Sequence, residues 1–175
     1  NETLHKNIQI KSKKKIRLVK GSHIITKKLY KADVAFTFQN TDKRIIFVIP
    51  YKGKFSLIGT TEIEVKSPEN QGISKKEIRY LIKSVNNYLN NEISEKDIVD
   101  TYSGVRPLIE DFNTASKVTR DYVFDLKIIN KLPLLNIYGG KLTTYRKLSE
   151  KVLFDLKKFL PKTKKGPWTD KKKLF

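Results

Sequence analysis

The 175-residue chain carries 37 lysines and arginines against 18 acidic residues, a formal charge of +19, with 38% hydrophobic residues and no cysteine. That length fits one ordinary domain, the apolar content suffices for a modest core, and the missing thiols exclude a disulfide framework or a thiolate metal site. With two histidines, His5 and His23, a zinc site has no support, and no apolar run approaches the ~18 residues that cross a bilayer. The polar, lysine-rich residues 1–20 predict no cleaved leader. Such charge invites a nucleic-acid reading. However, only six of the 37 basic residues are arginine, and the lysines are spread along the chain. A lysine-coated surface explains this better, so no nucleic-acid partner is expected. An anionic membrane surface is a second use for the same charge. Against that background Arg17, Arg44, Arg79, Arg106, Arg120 and Arg146 stand out, because only arginine offers a planar fork to an anion.

Residues 1–15 read as a polar lead-in. Residues 16–19 and 22–28 read as strands around Gly21. Residues 34–38 and 44–49 read as two more, joined by a turn at 40–43. Residues 55–65 form the next strand, after a Lys52-Gly53 turn, with Gly59 marking a bulge or a close backbone approach. Ser74 and Glu77 then make a capping box. The helix behind it shows Ile78, Leu81, Ile82, Val85 and Leu89 on one face and is expected to end near 90–91. Ser94 and Asp97 repeat the box more weakly, predicting a short turn. Residues 98–109 look extended, interrupted at Ser103-Gly104 and Pro107. A loop over 110–116 precedes a strand over 118–129, and residues 134–138 form the last strand. The final helix places Leu142, Tyr145, Leu148, Val152, Leu156 and Phe159 on one face and stops at Pro161. The basic tail is left to fray unless Trp168 anchors it. Strands, helix, strands, helix is an α+β order with a mainly antiparallel sheet and two main helices.

Four elements carry candidate chemistry. The strongest is Gly139-Gly140-Lys141-Leu142-Thr143-Thr144-Tyr145-Arg146. It runs from a strand through two glycines into a helix start, where free N–H groups and cationic charge face an anionic or electron-rich group. Its plain alternative is an ordinary Gly-Gly turn. Tyr102-Ser103-Gly104-Val105-Arg106-Pro107-Leu108 places Arg106 after a flexible point, suited to a phosphate or carboxylate, or merely to the surface. Thr119-Arg120-Asp121-Tyr122 is either a second anion contact or a surface ion pair. Gly21-Ser22-His23 puts a histidine on a strand, as a proton acceptor near neutral pH or as a structural residue. No G-x-G-x-x-G and no P-loop occurs, so this chain holds no dinucleotide cradle.

In this order the motifs resemble one family, the FAD-dependent, quinone-linked glycerol-3-phosphate dehydrogenases. The resemblance rests on Ile16-Arg17-Leu18-Val19-Lys20-Gly21-Ser22-His23-Ile24, Arg44-Ile45-Ile46-Phe47-Val48-Ile49-Pro50, Ile58-Gly59-Thr60-Thr61 and the three later elements. It covers roughly residues 16–170, and Ser149 stands where the family pattern expects alanine. The resemblance implies oxidation of sn-glycerol 3-phosphate to dihydroxyacetone phosphate by hydride transfer to FAD, with electrons passed to quinone. It implies that Arg106 and Arg120 hold the phosphate or polarise the hydroxyl. It implies that His23 takes the C2 hydroxyl proton, that Arg106 is also catalytic, and that Lys141 lies near the flavin and substrate. The resemblance further implies that Gly139, Gly140, Lys141, Leu142 and Thr143 meet the flavin, whose reduction places negative charge that a helix start favours. No metal is implied.

The same resemblance makes the chain an internal fragment. Residues 1–15 are then a lead-in, 16–133 a substrate-binding β domain with one helix, 134–161 a strand and helix returning to the FAD domain, and 162–175 a basic tail. Alone it is expected to lose FAD and not to turn over. The full enzyme is expected in the cytoplasm, with peripheral contact at the inner face of the membrane. The alternatives are a stand-alone module binding phosphate ligands and a basic binder of nucleic acid or membrane surfaces, which steep salt dependence would mark.

Overall fold

A computed structural model describes residues 14–109, 121–162, 166 and 168–172. They divide into two compact units, a larger one built on Arg17–Pro107 and a smaller one from residue 121 onward.

The larger unit is an antiparallel sheet under one helix. Its strands are β1 (Ile16–Lys27), β2 (Phe36–Gln39), β3 (Ile45–Tyr51), β4 (Phe55–Gly59), β5 (Ile63–Val65) and β6 (Ile98–Ile109). Hydrogen-bonded neighbours run β2-β3-β4-β1, and both β5 and β6 also pair with β1. The long β1 pairs β5 through Leu18–Lys20 and β4 through His23–Lys27. It therefore runs unbroken through Gly21, where the sequence had suggested two strands. The reading of 55–65 as one strand with a bulge at Gly59 holds in outline. β4 and β5 run antiparallel along the same edge of β1, the register shifting by one residue between the His23–Gly59 and Lys20–Ile63 pairs, with Thr61 N donating to Ser22 O at 3.2 Å. β6 passes through Ser103-Gly104 and Pro107 without a break.

The helix α1 (Lys75–Asn86) begins at the expected capping box, with Ser74 accepting from Glu77 N and the Glu77 carboxylate returning to Ser74 N. It stops earlier than its apolar pattern suggests, at Asn87, and Leu89 packs against the core from beyond it. Ile24, Ile46, Val48 and Ile58 from the sheet meet Leu81 and Val85 of α1 and Ile93 after it. Each such side chain contributes about 1.5–3 kcal/mol by leaving water. Side chains alternate across a strand, so β3 buries Ile46 and Val48 while Ile45, Phe47 and Ile49 stand on the opposite, open face. The short turn expected near Ser94 is a 3-10 turn over Glu95–Asp97.

The smaller unit holds a hairpin of β7 (Val123–Ile129) and β8 (Leu132–Tyr138). Ile129 faces Leu132 across a two-residue turn, with Asn130 and Lys131 both at positive φ (47° and 69°). That is the geometry matching the twist of paired strands. Pro133 is tolerated inside β8 because a two-stranded sheet has only edges. A 3-10 turn (Leu142–Thr144) leads into α2 (Tyr145–Asp155), followed by a further 3-10 turn over Lys157–Phe159. The tail is fastened by Thr169, whose hydroxyl donates to the Glu150 carboxylate that also takes Arg146, while Trp168 stays exposed. No helix among the described residues is long and apolar enough to cross a membrane.

Candidate functional site

On the open face of the larger sheet, β1 and β6 bring two of the expected residues together. His23 is in register with Gly59 of β4. A Cβ at Gly59 would overlap the imidazole, so the missing side chain is the hollow in which the ring lies. Tyr102 of β6 stacks on that ring, with centroids 4.6 Å apart and planes 5° from parallel. Four residues further along the same strand, Arg106 lies over Gly21, where a Cβ would overlap the guanidinium. Its Nη2 also approaches Thr60 Oγ1 at 3.5 Å. Each glycine therefore admits one of the two side chains, Gly59 the His23 imidazole and Gly21 the Arg106 guanidinium. Gly59→Ala is expected to expel the His23 ring and to cost about 1–3 kcal/mol through overpacking. Thermal unfolding and the loss of ring-stacking shifts in NMR spectra measure this. Gly104→Ala is the control, because nothing lies within 4 Å of that position. Unmoved His23 resonances in Gly59→Ala would rule the hollow out.

Burial, and then the charge of Arg106, lowers the His23 pKa from the usual 6.5. The imidazole is thus neutral at pH 7 and able to accept a proton. Its Nδ1 is buried without a hydrogen-bond partner among the described residues. Replacing Arg106 by glutamine is expected to raise the His23 pKa, read from ring chemical shifts against pH. The same shift has a sign for stability. Between the lowered pKa and 6.5 the unfolded chain binds a proton that the folded one refuses. Stability from this group is therefore full above 6.5 and falls as pH drops through that window.

Behind the site, on the helix side of the sheet, lies a buried polar cluster centred on Glu77. Its Oε2 accepts from Lys20 Nζ and Ser74 N, both at 2.8 Å, and from Ser74 Oγ at 2.7 Å. Its Oε1 accepts from Ser22 Oγ at 2.7 Å and Thr61 Oγ1 at 2.8 Å. Ser103 Oγ donates in turn to Ser22 Oγ at 2.8 Å.

In the smaller unit, Gly139 and Gly140 follow β8 with φ of 70° and 106°, a left-handed region that suits glycine. A Cβ at Gly139 would sit 2.7 Å from the Asp121 carbonyl oxygen. Lys141 is extended and exposed as the cap of the 3-10 turn that contains Leu142 and Thr143. Arg120 lies outside the described residues. Arg146 bonds Glu150 one turn along α2 at 3.2 Å, so its fork is engaged locally. Three other arginines also meet acids: Arg17 with Glu64, Arg44 with Asp42 and Arg79 with Glu95. Among the described residues no cluster of histidine and carboxylate groups is arranged to hold a metal.

Tyr102 and Thr60 were not singled out by the sequence, although one signal was available for Tyr102. Tyr102, Gly104 and Arg106 alternate along an extended segment and so share a face.

The sequence profile of the family described as FAD dependent oxidoreductase matches residues 2–146. The chain belongs to that family. It is 49% identical over 141 residues to the aerobic glycerol-3-phosphate dehydrogenase of Escherichia coli, covering 79% of this chain and 28% of that protein. It is 44% identical over 170 residues to the D-erythritol 1-phosphate dehydrogenase of Brucella abortus, covering 96% of this chain and 34% of that one. The fold resembles the glycerol-3-phosphate dehydrogenase of Bacillus halodurans, solved in complex with FAD, with a TM-score of 0.71 and 25% identity over 90% of this chain and 30% of that one. The chain thus spans about a third of the length of the curated relatives it matches.

Proposed function

We propose that this chain is part of an FAD-dependent dehydrogenase that oxidises sn-glycerol 3-phosphate to dihydroxyacetone phosphate and passes electrons to quinone. The observation that carries the reading is the pairing of His23 and Arg106 on one open sheet face, a neutral base beside a fixed cation. Arg106 holds the phosphate or polarises the hydroxyl, since its fork suits an oxyanion. His23 takes the C2 hydroxyl proton. Arg120 is assigned to the same substrate.

The turn after β8 suits a flavin. Its left-handed glycines permit close backbone approach, and the first N–H groups of the turn have no partner within it. Gly139, Gly140, Lys141, Leu142 and Thr143 would offer those donors to the pyrimidine edge, with Lys141 adding a cation for substrate and flavin. Bound FAD supplies the hydride acceptor. The full enzyme is assigned to the cytoplasm, attached peripherally at the inner face of the membrane.

A second substrate has its own support. The Brucella abortus relative, named for D-erythritol 1-phosphate, aligns with nearly the whole chain. The test is a two-dimensional NMR titration of the chain with sn-glycerol 3-phosphate and, separately, D-erythritol 1-phosphate, each with and without FAD. Saturable shifts at His23 and Arg106 with one ester support that substrate. Shifts at residues 139–143 on adding FAD support the flavin contact. Weak, salt-sensitive shifts scattered over the lysines would reject the reading in favour of a basic surface binder.

A further inference from the structure

The Glu77 cluster is placed where the site needs support. Neighbouring residues on a strand point to opposite faces. Ser22 precedes His23 and follows Gly21, the seat of Arg106. Thr61 follows Thr60, which Arg106 approaches, and Ser103 follows Tyr102, which stacks on His23. All three hydroxyls turn to the helix side and join one network ending on Glu77 Oε1, two of them directly and Ser103 through Ser22. Each segment that presents a group on the open face is therefore held from behind by its neighbouring residue. Oε2 is occupied separately, by Lys20 and by the helix cap.

We infer that Glu77 is a positioning residue for the His23–Arg106 site, acting through the hydroxyls of Ser22, Thr61 and Ser103; the inference rests on the function proposed above.

Stability alone does not explain the cluster. A buried ion pair with its hydrogen bonds often stabilises no more than apolar side chains of similar volume would. What it supplies is a single geometry. Chained hydrogen bonds reinforce one another in a low-dielectric interior. The Ser103–Ser22 bond joins β6 to β1 at the level where Tyr102 meets His23. With that bond cut, β6 is free to slide by a fraction of an ångström. The stack and the distance from Arg106 to the base would both change.

The test removes hydroxyls and leaves the carboxylate, the Lys20 pair and the helix cap in place. Ser103→Ala and Thr61→Val are made singly and together in the whole 175-residue chain. Ser103→Thr, which keeps a hydroxyl, is the rescue. Three quantities are read: the dispersion of the amide spectrum, the His23 ring shifts and pKa, and affinity for sn-glycerol 3-phosphate. The expected result is a folded double variant with weakened Tyr102 ring-current shifts on His23 and a His23 pKa moved toward 6.5. Its affinity should fall by about fivefold, or ~1 kcal/mol, and Ser103→Thr should stay near wild type. A folded double variant with unchanged His23 shifts, pKa and affinity would overturn the inference. So would collapse of the amide spectrum in Ser103→Ala alone, because the hydroxyls would then serve the fold rather than the site. If the wild-type chain binds no phosphate ester, the half-site proposed above is not preformed in this chain, and the His23 shifts and pKa still decide the positioning role.

Discussion

Arg106→Ala is expected to weaken binding of sn-glycerol 3-phosphate by about ten- to a hundredfold, equivalent to the roughly 1.5–3 kcal/mol of a charge-assisted hydrogen bond to an anion. The guanidinium occupies a hollow that exists only because residue 21 has no side chain. Its position is thus set by backbone rather than by a flexible neighbour, and little ordering remains to be done when an anion arrives. Arg106→Lys is expected to recover only part of the loss. An ammonium keeps the charge, but a point donor cannot bridge two oxygens as the fork does. Calorimetric or NMR titration of the three proteins checks this. Equal affinities for wild type and Arg106→Ala would remove Arg106 from the substrate and leave its effect on the His23 pKa as its only role.

Glu77→Ala is expected to lower the folding free energy by about 3–5 kcal/mol, because it strands the Lys20 ammonium in the interior. That is a large share of the roughly 5–15 kcal/mol by which domains are stable. Lys20 and Glu77 are both buried, with side chains only 7% and 2% exposed. Burial by itself would raise the Glu77 pKa, but hydrogen bonds from Lys20, Ser74 and Ser22 outweigh it and hold the group at about 2, against 4.5 when unperturbed. The folded-state value is the lower one. The contribution is therefore present above 4.5 and is lost as pH falls from there toward 2. Denaturant unfolding at a series of pH values should show that acid limb in the wild type. Glu77→Gln should flatten it, since an amide does not titrate there. An acid limb of unchanged slope in Glu77→Gln would assign the loss to other carboxylates.

Local patterns in the sequence carried the start of α1, the α+β order and most strands. The Ser74–Glu77 box is legible because both partners lie within four residues. The remaining bonds of the same carboxylate are not legible, because they come from Thr61 across a loop and from Lys20 and Ser22, more than fifty residues away. Gly59 was marked as a bulge or close approach, which is sound as far as backbone goes. That the approaching group is the His23 ring depends on strand register, and register forms only in the folded sheet. Gly21 was read as a break for want of the same information, whereas the strand continues through it and its bareness seats Arg106. Helix α1 was read too long because Leu89 keeps the helical spacing while reaching the core from beyond the cap. Residues 132–133 were not read as part of β8, and nothing local announces that β7 and β8 form a two-stranded sheet that tolerates Pro133.

Helix α2 has eleven residues, and none of them is buried. Phe154 is 71% exposed, and Leu142, in the 3-10 turn before the helix, is 88% exposed. Helices shorter than ~12–15 residues are marginal in water, since the first turn fixes several dihedrals for one hydrogen bond. Here the Arg146–Glu150 and Lys151–Asp155 pairs, at i and i+4, add only a few tenths of a kcal/mol each. Within its unit α2 thus draws little from burial, whereas α1 is packed on a core. Amide protons of residues 145–155 should trade with solvent deuterium long before those of Leu81 and Val85. Any surface that covers Leu142 and Phe154 would be felt first as a slowing of that exchange.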